Sequence, residues 1–421
     1  MRRALLIELR RSSVRWFLPL ITGFQLFMLF YRSEQWEFAW SEASAAIGVA
    51  GGISVPLVAA AAAWEGTRWH RSGDLSVLHH HARFPGAGYA LHQLSVLILA
   101  TVPLLITTVT AWAVTAAHSG MGALWPSYLL LALAVQWLGV GLGFAAGRLL
   151  ATRLVVPGVA LCLMVPLLLM PSGHPFALFS ISGPSGVVLI PQATLARIMM
   201  AAAVLALGVA VVGKHRDSWI EPRRGWTLTA GCVAVFAIAV QTMSSGGPLH
   251  APRDPTGVTP VCTDTAVEIC VWPDQAGFLP ELTGYAQRIE ALGAFADVPD
   301  RYVDANLDDS GFRFTLRSAT GSWMRVSELA FAIDIDAYPD ECTPDAELDF
   351  DAWSSQLNQL NAWYVHWIFD GPPPPGNGGG PPYDRAAMTE LIAQPVQEQF
   401  EWAERVHDRV MAERPCHPDE E

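Results

Sequence analysis

The stretch AWEGTRWHRSGDLSVLHHHARFPG, Ala63 to Gly86, decides how this chain is read. His70, His79, His80 and His81 crowd into it and invite a metal-site reading. Apolar runs lie on both sides, so its meaning depends on what those runs are. From Val14 to Met243 the sequence is dominated by Ala, Val, Leu, Ile and Phe; from Gly246 onward it has the mixed composition of a soluble domain. A bilayer core about 30 Å thick needs roughly 20 predominantly apolar residues in a helix, because no water is there to satisfy free backbone groups. Seven segments meet that requirement: 14–31, 44–64, 91–117, 127–147, 154–170, 195–213 and 226–243. The first follows Arg2, Arg3, Arg10 and Arg11 as a signal peptide would, but it has no small-residue cleavage site and further spans follow. It reads as a retained helix. The quoted stretch is then the connection between the second and third spans.

Charge supplies the orientation. Residues 1–245 hold 16 Lys and Arg against 8 Asp and Glu; residues 246–421 hold 10 against 31. Fourteen of the 16 cations in the first half fall at the N-terminus and in alternate connections, at Arg68, Arg71, Arg83, Arg148, Arg153, Lys214, Arg216, Arg223 and Arg224 among others. Arg32 and Arg197 are the two exceptions, with Arg197 at the edge of a span. Short cytoplasmic loops are the ones enriched in Lys and Arg. The N-terminus is therefore expected in the cytoplasm and the acidic C-terminal domain outside, in a bacterial cell membrane. Lys214 is the sole lysine beside twenty-five arginines, which fits a GC-rich genome. The acidic tail excludes nucleic acid as its partner, since phosphate binding needs cationic surface.

Cysteine usage points the same way. Cys262, Cys270, Cys342 and Cys416 form an even set in the exported part, where disulfides persist. Four cysteines allow three pairings. Cys262–Cys270 with Cys342–Cys416 is preferred, because TPVCTDTAVEICVWP alternates like a short hairpin that one bridge would close. Cys162 and Cys232 lie inside spans and read as packing residues.

Within the quoted stretch, Ser72 is placed to cap a short helix over 73–84, with Asp74 in its first turn. Successive helical residues are about 100° apart, so His79, His80 and His81 fan around the surface and do not converge. Positions 75–77 and 83–85 offer no further ligand at helical spacing. No metal site is assigned. An interfacial helix burying Leu75, Leu78 and Ala82 against headgroups or a partner is the leading reading, with a pH-responsive docking surface secondary.

Trp64 and Glu65 at the end of the second span, Arg68 and Arg71 in an elbow, Gly73, Leu75 and Leu78 in a short helix, and Pro85 after it form one layout. That layout resembles the permease subunits of type-2 ABC exporters in their actinobacterial form. The basic N-terminal segment, six core spans, the outer loop PSGHPFALFSISGPSGVVLIPQ and the absence of charge deep in the spans fit it as well. The resemblance covers about residues 1–225; the seventh span at 226–245 and the outside domain depart from the usual plan. It implies that Arg68, Arg71, Asp74, Leu75, Leu78 and His79 form the loop that couples to an ATPase. It also implies a separate cytoplasmic ATP-binding subunit, pairing with a second copy or a similar permease, and contact with membrane lipid. GVAVVGKH, Gly208 to His215, matches the start of a P-loop but has His215 where Mg²⁺ binding needs Ser or Thr. This chain is thus expected to bind no ATP itself, and no cofactor is assigned.

The tail reads as a linker over 246–260 and an α+β domain with disulfides over 261–421. A helix is expected after Asp274 with Leu279, Leu282, Tyr285, Ile289 and Leu292 at helical spacing, then a strand in GFRFTLRS, 311–318. A second helix covers 350–369, and a third runs from Arg385 to Met411 with a kink at Pro395. DGPPPPGNGGGPPYD between them is expected to be a flexible exposed loop. His366, His407, Asp334, Asp336, Asp340 and Glu341 prompt a metalloprotease reading, but H-E-x-x-H, G-x-S-x-G and an EF-hand spacing are all missing. Asp370, four residues after His366, is expected to cap or to sit in solvent. No catalytic residue is assigned. The expectation is a seven-span α-helical permease subunit, with a membrane-anchored binding or sensor protein as the alternative.

Overall fold

The computed structural model describes residues 2–31, 33, 36–72, 87–118, 120, 122–150, 152–169, 183, 186–214, 222–245, 249–308, 310–316, 324–334, 350–372 and 383–413. The chain divides into two compact units, Met1–Gly183 with Val187–Pro252, and Pro184–Gly186 with Arg253–Glu421.

The first unit is helical: α1 (Arg2–Arg11), a 3-10 turn (Ser13–Trp16), α2 (Leu18–Phe30), α3 (Trp40–Ile53), α4 (Val55–Ser72), α5 (Ala87–Ala117), α6 (Pro126–Leu150), α7 (Val155–Leu169), α8 (Pro191–Lys214) and α9 (Pro222–Ser245). Three stretches, Ala90–Ala117, Pro126–Leu150 and Pro191–Val209, are long and apolar enough to cross a membrane, and α3 with α4 makes a fourth as a bent pair. Leu18–Phe30, Val155–Val165 and Ala230–Ser244 are apolar but shorter. This is the pattern of a multi-pass membrane protein.

The second expected span is not one straight helix. It breaks at Ser54, and its halves meet at 43°. Pro56 is the physical reason. It has no N–H for the Gly52 carbonyl, and its ring disfavours helical geometry at the residue before it. At the break the Ser54 N–H reaches the Gly52 carbonyl and its hydroxyl donates to the Gly51 carbonyl at 2.8 Å. Below the break, α4 packs closely on α6 through small residues. A Cβ added at Gly143 or Gly147 would sit 2.1 Å from the Ala59 or Ala63 carbonyl oxygen respectively. Small residues at four-residue spacing let two membrane helices approach this closely. Val14, Ile21, Val58, Ala62, Val96 and Phe144 fill the adjoining core.

Two short strands join the other ends of α8 and α9. β1 (Val187–Leu189) leads into α8, and β2 (His250–Pro252) follows α9; they pair antiparallel, with Val188 opposite Ala251. The stretch expected as linker therefore holds a strand, and the boundary between the units falls at Pro252 and Arg253.

The second unit carries β3 (Val261–Cys262), β4 (Glu268–Val271), a 3-10 turn (Pro273–Phe278), α10 (Leu279–Leu292), β5 (Arg301–Asp304), β6 (Phe312–Phe314), α11 (Met324–Phe331), α12 (Phe350–Phe369), α13 (Arg385–Ile392) and α14 (Val396–Ala412). The sheet runs β3-β4-β5-β6, antiparallel at its first pair and parallel thereafter. Cys262 faces Cys270 in register and the two form a disulfide, closing the expected hairpin. α10 is the crossover between β4 and β5 and buries Leu282, Tyr285, Ile289 and Leu292, the stripe read from the sequence. The short passage from β5 to β6 needs Gly311, at φ 152°, because a Cβ there would lie 2.6 Å from the Arg301 carbonyl oxygen. α12 has the expected bounds and buries Trp353, Leu357, Leu360, Trp363 and Ile368. The final expected helix is two helices, α13 and α14, separated at Pro395.

Candidate functional site at the base of the 73–86 connection

Of the residues expected to form the coupling loop, Arg68 is described in full and projects from α4, about a quarter exposed. Arg71 belongs to the last turn of α4. Its side chain, and the whole of Asp74, Leu75, Leu78 and His79, lie outside the described residues, as do Cys342 and Cys416. The site around Arg68 is organised by a residue that drew no role in the sequence beyond its place in the layout.

Glu65, one turn before Arg68, is fully buried. Its Oε2 accepts from the Ser13 backbone N–H at 2.8 Å and from the Ser13 hydroxyl. Its Oε1 accepts from the Arg68 guanidinium and lies 2.9 Å from His92 Nε2 on α5. Arg68 also donates to the Arg11 carbonyl at 2.9 Å and stands 3.8 Å from the buried Glu8. Behind the site, the His92 ring packs edge-on against Phe144 of α6, with centroids 5.1 Å apart. A carboxylate out of water is tolerated only when its charge is paired and its oxygens are hydrogen-bonded. Glu65 meets that condition only while three segments stay together: the turn after α1, the end of α4 and the start of α5. The last two are the ends between which residues 73–86 run. His92 escaped the sequence reading because its partner is distant in the chain and it opens an otherwise apolar run.

A second polar group lies inside the helix bundle at the α3–α4 break. Gln25 Nε2 donates to Ser54 Oγ at 2.7 Å, Thr107 Oγ1 donates to Gln25 Oε1 at 3.1 Å, and Gln136 Nε2 lies 3.4 Å from Ser54 Oγ. All four residues are buried, and they tie α2, α5 and α6 to the bend. Polar groups in an apolar bundle act as interhelical hydrogen-bond glue, each worth about 0.6–2 kcal/mol. Arg197, expected at a span edge, is also buried in α8 and donates to the Ala193 carbonyl at 2.8 Å. The bundle is thus more polar inside than its sequence conveys.

In the second unit, Asp334 and His407 of the metalloprotease reading do meet. His407 Nε2 lies 3.2 Å from Asp334 Oδ1, a close ion-pair approach off the axis of a good hydrogen bond. Asp334 is buried, with φ 59°, and accepts from the Tyr364 hydroxyl at 2.7 Å and from the Asp297 N–H at 2.9 Å. The close approach of Asp334 raises the His407 pKa against the opposing effect of burial. Burial, with Asp334 beside it, raises that of the Tyr364 phenol, so Tyr364 stays a donor. His366 is elsewhere, bonded to the Gly371 carbonyl, and Asp370 pairs with Arg288 while ending α12 at φ 56°. Among the described residues the two histidines share no ligand set; Asp336, Asp340 and Glu341 lie outside the described residues. The grouping Cys262, Glu268 and Cys270 has suitable atoms close together, but its sulfurs are joined in the disulfide.

No protein-family profile, curated protein or solved structure matches this chain.

Proposed function

We propose that this chain is the membrane subunit of a type-2 ABC exporter, energised by a separate ATPase that docks on the segment 65–86, the end of α4 and the connection after it. The observation that carries the reading is the Glu65 network. A single buried carboxylate joins both ends of that connection to the basic N-terminal segment, so a push on the connection is passed to α4, α5 and the turn after α1 together. The bend at Ser54 is the point on the same helix pair where such a displacement changes direction. Arg68, Arg71, Asp74, Leu75, Leu78 and His79 form the docking surface, and the chain works as a pair with itself or with a similar subunit.

In this reading seven helices cross the bilayer, three of them short, with the N-terminus in the cytoplasm and the second unit outside. The β1–β2 pairing sets the loop before α8 and the exit from α9 on one face, as the two crossings between them require. A Cys342–Cys416 bridge belongs to the same reading. Among the described residues, His407 meets Asp334 and the Trp353 indole donates to the Val410 carbonyl at 3.0 Å, which supports it. Mapping free thiols under non-reducing conditions tests that bridge.

The test of function is affinity isolation of the full chain from native membranes. Recovery of an ATPase, lost when residues 72–84 are scrambled, is the expected result. Recovery of no ATPase would leave the membrane-anchored binding or sensor protein as the better account.

A further inference from the structure

Among the described side chains of α1, those that face outward all lie on one side of the helix. Arg3, Leu6, Ile7, Arg10 and Arg11 are exposed, and their spacing of three, four, seven and eight residues from Arg3 is that of a single helical face. Leu6 and Ile7 are each half exposed, so an aliphatic pair sits in the middle of a basic surface. The opposite side is held by the bundle: Glu8 is buried and stands 3.8 Å from Arg68. Glu8 is also the only acid in residues 1–31, so the outward face carries cations and no anion.

The exposed surface continues along the chain and changes character. Arg15 and Trp16 follow α1, both exposed, Trp16 to 74%. The Arg15 guanidinium lies 4.9 Å from the centre of the Trp16 ring and donates to the Arg10 carbonyl at 2.6 Å, which ties the pair to the end of α1. On α2 the exposed residues Leu20, Gly23, Phe27 and Phe30 again share one face, now without any charge. A basic face with aliphatic tips, then Arg beside Trp, then an uncharged apolar face is the order met on passing from lipid headgroups into hydrocarbon.

We propose that the outward face of α1, with Arg15 and Trp16, binds the anionic headgroup layer of the bilayer, α1 lying along that layer with Leu6 and Ile7 dipped toward the acyl chains. Unopposed arginines select anionic over zwitterionic lipid. Leu6, Ile7 and Trp16 select a lipid surface over nucleic acid or a soluble polyanion, which would leave them in water. The inference rests on α2 lying in a membrane, and neither on transport nor on which side the N-terminus occupies.

The test uses the purified full chain with a photoreactive phenylalanine analogue in place of Ile7, reconstituted in nanodiscs of phosphatidylcholine with a minority of phosphatidylglycerol. Both leaflets carry the same mixture, so orientation does not enter. After irradiation the lipid adducts are weighed by mass spectrometry. Phosphatidylglycerol is expected among them about fivefold above its share of the bilayer, which is the preference of about 1 kcal/mol that one Arg near the surface supplies. Arg3→Gln, Arg10→Gln and Arg11→Gln combined should return the adducts to the composition of the bilayer, with elution profile and helical content unchanged. Raising the salt should lower the enrichment in the chain that keeps its arginines, a second measurement that needs no altered fold. Adducts in proportion to the bilayer from the unaltered basic face, enrichment that neither the triple variant nor salt reduces, or cross-links to a second copy of the chain in place of lipid would overturn the proposal.

Discussion

Each unit buries a carboxylate against a histidine, and the two sites solve the same physical problem differently. Glu65 in the helical unit meets a permanent cation, Arg68, together with the hydroxyl and N–H of Ser13 and the ring of His92. Asp334 in the second unit meets the neutral donors Tyr364 and the Asp297 N–H, and the one group beside it that changes charge near neutrality is His407. Arg68 carries a fixed charge beside Glu65, whereas the charge beside Asp334 is that of His407.

The largest expected effect comes from breaking the permanent pair. Glu65→Gln turns an acceptor toward Ser13 or Arg68 into a donor and removes the buried charge closest to Arg68. It should lower the stability of the detergent-solubilised chain by about 3–5 kcal/mol, measured by thermal unfolding. A loss below about 1 kcal/mol would mean that the carboxylate does not hold the three segments together.

Asp334→Asn comes next. Asparagine tolerates the positive φ, so the substitution isolates the charge. A loss of about 2 kcal/mol is expected, the range for hydrogen bonds to a charged group, read from denaturation of the second unit within the intact chain.

The third prediction separates the sites by pH. His407 has a raised pKa in the folded chain, so its contribution is complete below the ordinary histidine value of about 6.5 and fades as pH rises through the higher folded value. Stability of the second unit should fall on going from slightly acid to slightly alkaline buffer, and Asp334→Asn should flatten that slope. An equally steep slope in the variant would assign the effect to another group.

Asp370 is the exposed control. Its side chain is 75% exposed in the pair with Arg288, so Asp370→Asn should change stability by no more than about 1 kcal/mol.

How much of this was legible in the sequence follows from the range of the interactions. Apolar runs and helical stripes are local, so the apolar helices other than the bent α3–α4 pair, together with α10 and α12, could be read with nearly their final bounds. The Cys262–Cys270 hairpin was legible because its partners are close in the chain and alternate. The break at Ser54 was carried by Pro56, one proline in a run otherwise apolar enough to pass as a single span. The Gly143 and Gly147 contacts were present as a four-residue repeat without an obvious partner. Glu65–His92 was out of reach, and Asp334 and His407 were named without their pairing, because the partners of each pair are far apart in the chain and tertiary packing alone brings them together.

Site-specific photo-cross-linking in native membranes, from probes at Leu75 and Leu78 and from a control probe at Gly257, tests the central claim most directly. The account predicts adducts to an ATP-binding protein from positions 75 and 78 and none from position 257. Absence of such adducts, or adducts to another protein from position 257 alone, would contradict it.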